Sequence, residues 1–365
     1  MGKKGYFLDM SDEGKKLLFL PFKSGNIETF AVLRKEAEAR QALAELKGFA
    51  PVIPNQNILV SAIVLREAKE SSAIENIVTT HDELYKDLTI NTGYSDSSTK
   101  EVINYREAVF KGYAKVKKQQ FIRIRDIIKI QETIVENNAG IRRLPGTSLV
   151  NEATGKIVYT PPQDYRLIQD LLDNFCEYFN DAENSLWKMA LLHYQFESIH
   201  PFYDGNGRTG RILNILYLLL KNYLDSPILY LSSYIIKNKN EYYTLLQETR
   251  KKKKYEPWIL YILNGIKETS KQTLEKICAI KNLLESTIEE VQEKCPKAYS
   301  KELVELIFEN PYSKIDFLVN KLSVNRKTAS KYLRELEEKK FLSHIKVGKE
   351  LLYINHKLME ILKSD

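Results

Sequence analysis

The segment 200–211, HPFYDGNGRTGR, gathers residue types that can act together on a phosphorus centre. Proline disfavours the α region for the residue before it, so a helix arriving at His200 stops there and leaves its imidazole at the end of a packed element. Gly205 and Gly207 allow positive φ and close approach of backbone to a ligand, and successive N–H groups in such a turn form a concave anion site. A helix beginning near Gly207 points its positive dipole end at the same place. Arg208 and Arg211, three residues apart, share a helix face and can grip phosphate oxygens, while Asp204 can hold a hard cation such as Mg2+. A base, a metal ligand, an anion nest and two arginines are the parts that attack of a hydroxyl on phosphorus requires.

Two other phosphate loops match in part. Gly205, Gly207 and Gly210 fit the GxGxxG spacing of dinucleotide-binding folds, and Asp225 lies where a ribose-binding acid is expected. That fingerprint must follow a strand, whereas SLWKMALLHYQFESIH before it has helical periodicity. Alternating strand–helix units are also absent. A Walker A loop fails because no Gly-Lys-Ser/Thr follows. A plain tight turn with a satisfied histidine would explain a lone His200, not the whole constellation.

The elements that must position this loop read as mainly helical. Residues 28–46, 58–77, 100–117, 123–136, 167–178 and 185–199 have helical composition or periodicity. Residues 211–222 are apolar nearly all round, which predicts a central buried helix. A long helix is expected over 269–294, ended by Pro296, where a domain boundary is placed. Residues 47–57 and 91–98 read as connections. In 140–162, SLV and KIVYT flank the turn-like NEATG, which predicts a β-hairpin. The basic run 250–254 reads as a solvated, mobile loop.

At 365 residues, two or three domains are expected. A 43% hydrophobic, 28% charged composition is that of a soluble globular chain. The apolar run 212–220 is too short to span a membrane, and the N-terminus lacks a signal core, so a cytoplasmic location is expected. Three separated cysteines and five scattered histidines argue against a disulfide framework or a zinc site. A net charge of +7 permits anionic partners without demanding them.

HPFYDGNGRTGR resembles the signature of the Fic-domain family, HPFx(D/E)GNGRxxR, at every position. The resemblance runs from the N-terminal helices to about residue 295. It implies a mainly α fold, a helical bundle carrying a β-hairpin flap. It also implies a protein adenylyltransferase that moves AMP from ATP to Tyr, Thr or Ser hydroxyls of a target protein, and of itself, releasing pyrophosphate. His200 would deprotonate the target hydroxyl and Asp204 would hold Mg2+. Gly205, Asn206 and Gly207 would form the anion hole, Arg208 and Arg211 would contact the outer phosphates, and Thr209 and Gly210 complete the ATP-binding segment. Lys156, Ile157, Val158, Tyr159 and Thr160 would form the flap that clamps a target peptide. Tyr242 and Tyr243 sit where the family contacts adenine, or form an ordinary aromatic pair with one face in the core.

Ser71-Ser72-Ala73-Ile74-Glu75-Asn76 resembles the family's inhibitory pattern (S/T)xxxE(G/N), here N-terminal to the core. The resemblance implies that Glu75 pairs with Arg211 in place of the γ-phosphate, since a carboxylate competes for the same guanidinium fork. The same glutamate could instead position a water for removing AMP. A homodimer is a further expectation of the family.

Residues 300–310, 314–322, the turn 323–325 and 326–340 read as helices with a helix-turn-helix, and 341–354, turning at Gly348, as a β wing. Together they resemble a winged-helix domain, giving regions 1–110, 111–295 and 296–365. Arg326, Lys327, Lys331 and Arg334 could face a DNA major groove, diluted by Glu335, Glu337 and Glu338. Winged helices also serve as protein-interaction modules. Two alternatives to AMP transfer follow: a DNA-binding regulator with the Fic core as sensor, and transfer or removal of another phosphate-containing group. Intact His200 and Asp204 argue against a dead core, and Gly207 with Arg208 argues against transfer of the γ-phosphate itself.

Overall fold

The structure is a computed structural model that describes residues 17–22, 27–53, 55–90, 96–150 and 154–364. Most of the expected hairpin turn, 151–153, and most of the loop 91–98 lie outside the described residues, as does the N-terminus. Helix α1 (Phe30–Phe49) starts at Thr29, whose side chain accepts from the Val32 N–H at 3.2 Å. A 3-10 turn (Ala50–Val52) leads to α2 (Gln56–Ile74), α3 (His81–Ile90), α4 (Ser97–Gln119) and α5 (Ile124–Val135). The hairpin is β1 (Leu149–Val150) and β2 (Ile157–Tyr159), antiparallel, with Leu149 opposite Tyr159, Val150 opposite Ile157 and a bulge between. Helices α6 (Tyr165–Asn180), α7 (Leu186–Ile199), α8 (Asn206–Leu220), α9 (Leu231–Lys237), α10 (Lys239–Lys252) and α11 (Glu256–Lys294) follow.

The core sits around α7 and α8. Every residue of α7 is buried, so its polar side chains must find partners inside. Gln195 donates to the Leu18 carbonyl at 2.8 Å, and Trp258 on α11 donates to the Ala190 carbonyl at 2.7 Å. The start of α7 is held by Glu36 of α1, whose buried carboxylate accepts from the Leu186 N–H at 2.6 Å and from Arg40 at 2.8 Å. A helix braced at its first turn and packed on all sides delivers its last residue, His200, to a fixed place.

The C-terminal region comprises α12 (Lys301–Glu309), β3 (Tyr312–Ser313), α13 (Ile315–Leu322), α14 (Arg326–Glu338), β4 (Ser343–Val347), β5 (Glu350–Ile354) and α15 (His356–Lys363). Its antiparallel sheet has the order β3–β5–β4, and Gly348 turns the wing with φ +57°. Ser323, in the left-handed region, separates α13 from α14. The architecture is the mainly α bundle with a hairpin that the sequence implies.

Three differences are local. The long helix begins thirteen residues before the expected 269, at Glu256, with Pro257 in its first turn where its missing N–H is harmless. Helices α3, α9, α10 and α15 were not anticipated. The run 250–254 is not a solvated loop: residues 250–252 close α10, and Arg250 is 5% exposed. Among the described residues no helix is long and apolar enough to cross a membrane.

Glu36→Ala leaves a buried amide without its acceptor. It is expected to cost about 2 kcal/mol in urea unfolding, the usual penalty for an orphaned buried donor. An unchanged midpoint would contradict this account of how α7 is held.

Candidate active site

The segment between α7 and α8 is braced from four sides. His200 caps α7 in the left-handed conformation, φ +48° and ψ +60°, with its N–H donating to the Phe196 carbonyl at 3.0 Å. The Asn206 side chain makes two bonds of 2.8 Å across the loop, accepting from the Phe202 N–H and donating to the Phe202 carbonyl. The amide thereby braces the loop and leaves the backbone N–H of Asn206, in the first turn of α8, to face an anion. Gln131 of α5 donates to the Asp204 carbonyl at 3.0 Å. Arg142, before the flap, donates to the carbonyls of His200 (2.8 Å), Ile199 (3.3 Å) and Pro162.

Gly205, at φ +78°, is the N-cap of α8, and a Cβ there would lie 2.9 Å from Val135 Cγ1. A Cβ on Gly207 would fall 2.3 Å from Glu75 Oε1. A carboxylate is thus seated directly on the backbone of the first turn of α8, where unpaired N–H groups and the helix dipole favour negative charge.

Both arginines hold that carboxylate. Arg211 Nη2 lies 2.7 Å from Glu75 Oε1, and Arg208 Nε lies 3.3 Å from Oε2. Arg211 also donates to Ser71 Oγ at 2.6 Å and to the Ser71 carbonyl at 2.9 Å. Ser71 and Glu75 stand one turn apart on α2, which is why both reach the same guanidinium. Asn76 then takes the left-handed conformation, φ +63°, that Asn tolerates, and accepts from Lys239 of α10 at 3.5 Å. Arg208 is almost fully buried and also pairs with Glu101 of α4 at 2.6 Å and Asp204 at 3.4 Å.

Burial opposes charge on Arg211, but Glu75 first, then Tyr105, Tyr242 and Glu197, outweigh it and hold its pKa above the ordinary value. His200 is driven the other way. Burial, then the charges of Arg250 and Arg142, lower it to about 4, so the ring is neutral at neutral pH. Tyr203, in the same loop, accepts from the N–H groups of Arg143 and Leu144 at 3.1 Å and ties the chain before the flap to the loop.

The remaining expected residues divide. Thr209 and Gly210 face inward, fully buried, with Gly210 against Glu197, Phe196 and His193. Tyr242 is a core residue, bonded to His193 at 2.9 Å and packed on Trp258, whereas Tyr243 is exposed. In the hairpin, Lys156, Ile157, Val158 and Thr160 are exposed and Tyr159 turns inward to donate to the Ser198 carbonyl at 2.9 Å.

Three family models match the chain: Fic/DOC family N-terminal over residues 33–114, Fic/DOC family over 121–218, and the C-terminal domain of protein adenylyltransferase SoFic-like over 283–358. The chain belongs to the Fic/DOC family. Solved structures share the Fic fold at low identity. A Fic family protein from Desulfovibrio desulfuricans G20 is 19% identical with a TM-score of 0.57, over 89% of this chain and 96% of that one. A Fic domain containing signaling protein from Bacteroides thetaiotaomicron is 17% identical with a TM-score of 0.52, over 66% and 95%. Fic-1 from C. elegans is 18% identical with a TM-score of 0.51, over 67% and 72%. The Fic loop and the C-terminal domain together make this a Fic-type transferase.

Residues that the Fic motif does not name complete the site. Glu101, Arg142, Glu197 and Arg250 all come from other elements. So does Glu67 of α2, fully buried beneath Arg211, which accepts from Tyr105 at 3.0 Å and from the Ser232 hydroxyl and N–H at 2.5 and 3.0 Å. Burial raises Glu67 to about 7, against the Ser232 hydrogen bonds, and raises Glu197 to about 7, against Arg211. A carboxyl raised above its ordinary 4.5 keeps a proton in the folded state that the unfolded chain releases. Its stabilising contribution is full below that value and is lost as pH rises through about 7. Glu67→Gln should therefore flatten the fall in urea midpoint between about pH 5 and 8. Parallel profiles for variant and parent would refute a neutral Glu67.

Proposed function

We propose that this Fic protein transfers AMP from ATP to a hydroxyl side chain of a target protein and of itself, and that Glu75 holds it inactive. The observation that carries the reading is the Glu75 carboxylate bridging Arg211 and Arg208 at the first turn of α8. That place suits an anion by every local criterion, and a polyphosphate offers the same fork geometry to the same guanidinium groups. The match to the C-terminal domain of an adenylyltransferase supports AMP as the transferred group.

In this reading the target oxygen attacks the α-phosphorus and its proton passes to the neutral imidazole of His200. The bond from the α-phosphorus to the bridging oxygen breaks, and pyrophosphate leaves with the electron pair. The N–H groups of Asn206 and Gly207 face the charge that builds on the phosphate oxygens. Asp204 has an exposed carboxylate at the mouth of the loop, and among the described residues no cluster of three acids or imidazoles could hold a metal. One carboxylate is what an Mg2+ shared with substrate phosphates needs, and the ion would neutralise charge on the leaving group. With Glu75 in place, Arg211 and Arg208 are not available to the outer phosphates, and the nucleotide would sit out of line.

Glu75→Gly incubated with ATP labelled at the α or the γ phosphate tests the reaction. Labelling of protein from the α position only is expected, at on the order of 10-fold or more above the parent, the equivalent of about 1.4 kcal/mol. Adding His200→Ala should cut it by about 10²–10⁴. Labelling from the γ position would overturn AMP transfer, and equal labelling of parent and Glu75→Gly would overturn inhibition.

A second activity is favoured by a specific arrangement in the C-terminal region. Lys327, Lys331 and Arg334 lie exposed along α14, with Lys346 and Lys349 exposed on the wing, while Arg326 is engaged by Asp316. This suits contact with duplex DNA. A gel shift of the full chain that weakens steeply with salt is expected, and retention no better than that of Lys327→Glu/Lys331→Glu would dismiss it.

A further inference from the structure

The reaction proposed above gives no task to Arg250, yet its guanidinium is the meeting point of three elements. Its neighbours Lys251 and Lys252 are exposed, whereas Arg250 turns inward. Nε reaches Ser198 Oγ at 3.2 Å and Nη2 donates to the Glu197 carbonyl at 2.9 Å, both in the last turn of α7 just before His200. The guanidinium carbon lies 3.9 Å from the centre of the Tyr159 ring, which belongs to β2 of the flap. Gln247, in the amide orientation that satisfies both its ends, donates to the Val158 carbonyl at 3.2 Å and accepts from Arg250 Nη1 at 3.0 Å. Tyr159 closes the circuit through its own bond to the Ser198 carbonyl. A buried cation with every edge engaged and an aromatic ring against its face is a task for arginine; lysine has neither the fork nor the plane.

We propose that Arg250 is a positioning residue that sets the distance between the flap and the base: it locks β2 to the last turn of α7, so that a hydroxyl presented along the flap arrives at His200. The proposal rests on the AMP-transfer reading for its consequence, but its physical content, one rigid unit of β2, α10 and the end of α7, stands apart from the group transferred. The charged groups facing His200 are Arg250 from α10, Arg142 from the segment before the flap and Asp204 from the loop, while its own helix contributes the Glu197 backbone rather than a charge. Removing the Arg250 charge therefore also relaxes what keeps the imidazole unprotonated.

The test uses the full chain carrying Glu75→Gly, with and without Arg250→Gln or Arg250→Lys. Self-labelling from α-labelled ATP is the activity probe. Arg250→Gln is expected to lower its rate by about 10²-fold, as for a misplacement of about 1 Å, with the Kd for ATP within about twofold and the acid limb of the pH profile moved upward. Arg250→Lys keeps the charge and should lose rate without moving that limb. Two readouts do not depend on the reaction. Hydrogen exchange of the flap amides should rise in Arg250→Gln, and the His200 ring titration, followed by NMR, should move to higher pH. If Arg250→Gln does not fold, Tyr159→Leu removes the stack from the flap side and carries the same expectation for exchange and rate. Unchanged flap exchange and His200 titration in a folded Arg250→Gln would overturn the proposal. Absence of α-labelling in the Glu75→Gly parent, with both physical readouts shifted, would instead sink the AMP-transfer reading and leave the coupling standing.

Discussion

A buried positive charge must be answered, and the site is organised around that demand. Arg211 is 4% exposed and Arg208 1%, and both project from the first turns of α8, whose own dipole adds to the positive potential. Two guanidinium groups in so little water would be prohibitive without anions at hydrogen-bond distance. The chain supplies these from separate elements: Glu75 from the end of α2, with the neutral oxygens of Ser71 beside it, Glu101 from α4 and Asp204 from the loop itself. Glu67 and Glu197 lie in the next layer, where burial raises each to about 7, so both carry less negative charge than an ordinary carboxylate and contribute hydrogen-bonding capacity without overcharging the site.

The second constraint is mechanical. A base at a helix terminus is only as well placed as the helix. The burial of α7 on all faces, its start on Glu36 and its end in the left-handed cap of His200 remove the freedom a terminal residue ordinarily has. Arg142 and Arg250 then work from outside the helix on the carbonyls of its last turn. The same two cations help keep the imidazole neutral. Position and protonation state of His200 therefore share a cause, and removing the charge of either arginine alters both.

What was legible in the sequence is what is local. The pairing of Glu75 with Arg211 could be expected because 71–76 resembles the family's inhibitory pattern, and HPFYDGNGRTGR carries its own turn, helix start and anion site within twelve residues. The hairpin and the helix-turn-helix were legible for the same reason. The partners that complete the site were not. Glu101 meets Arg208 across 107 residues of chain, and Glu67 meets Ser232 across 165. Each looks, in its own neighbourhood, like an unremarked polar residue on a helix. Arg250 is the sharpest case. In a run of basic residues it reads as solvated, and only the arrival of Tyr159 and Ser198 at the same spot turns it inward. Periodicity reports the face a residue occupies, not which distant groups will cover it.

Helix α2 shows how far the consequences of one residue reach. Its last turn presents Ser71 and Glu75 to the loop, while its middle is held by the C-terminal region. Arg66 donates to the Ser364 carbonyl at 2.6 Å, alongside Lys276 of α11, which donates to the carbonyls of Ile361 and Ser364 at 2.7 and 2.6 Å. Arg66 also pairs with Glu70, the residue before Ser71. Nearby, Tyr85 of α3 stacks on Tyr312, and Asp82 accepts from Tyr312 at 2.8 Å. A carboxylate fixed to a helix end cannot withdraw from its guanidinium by more than a side-chain rotation unless the helix moves. Here moving the helix means breaking a partly buried, charge-assisted bond from Arg66 to the C-terminal region. Displacing α2 far enough to withdraw Glu75 from Arg211 would therefore also disturb its contacts with the C-terminal region.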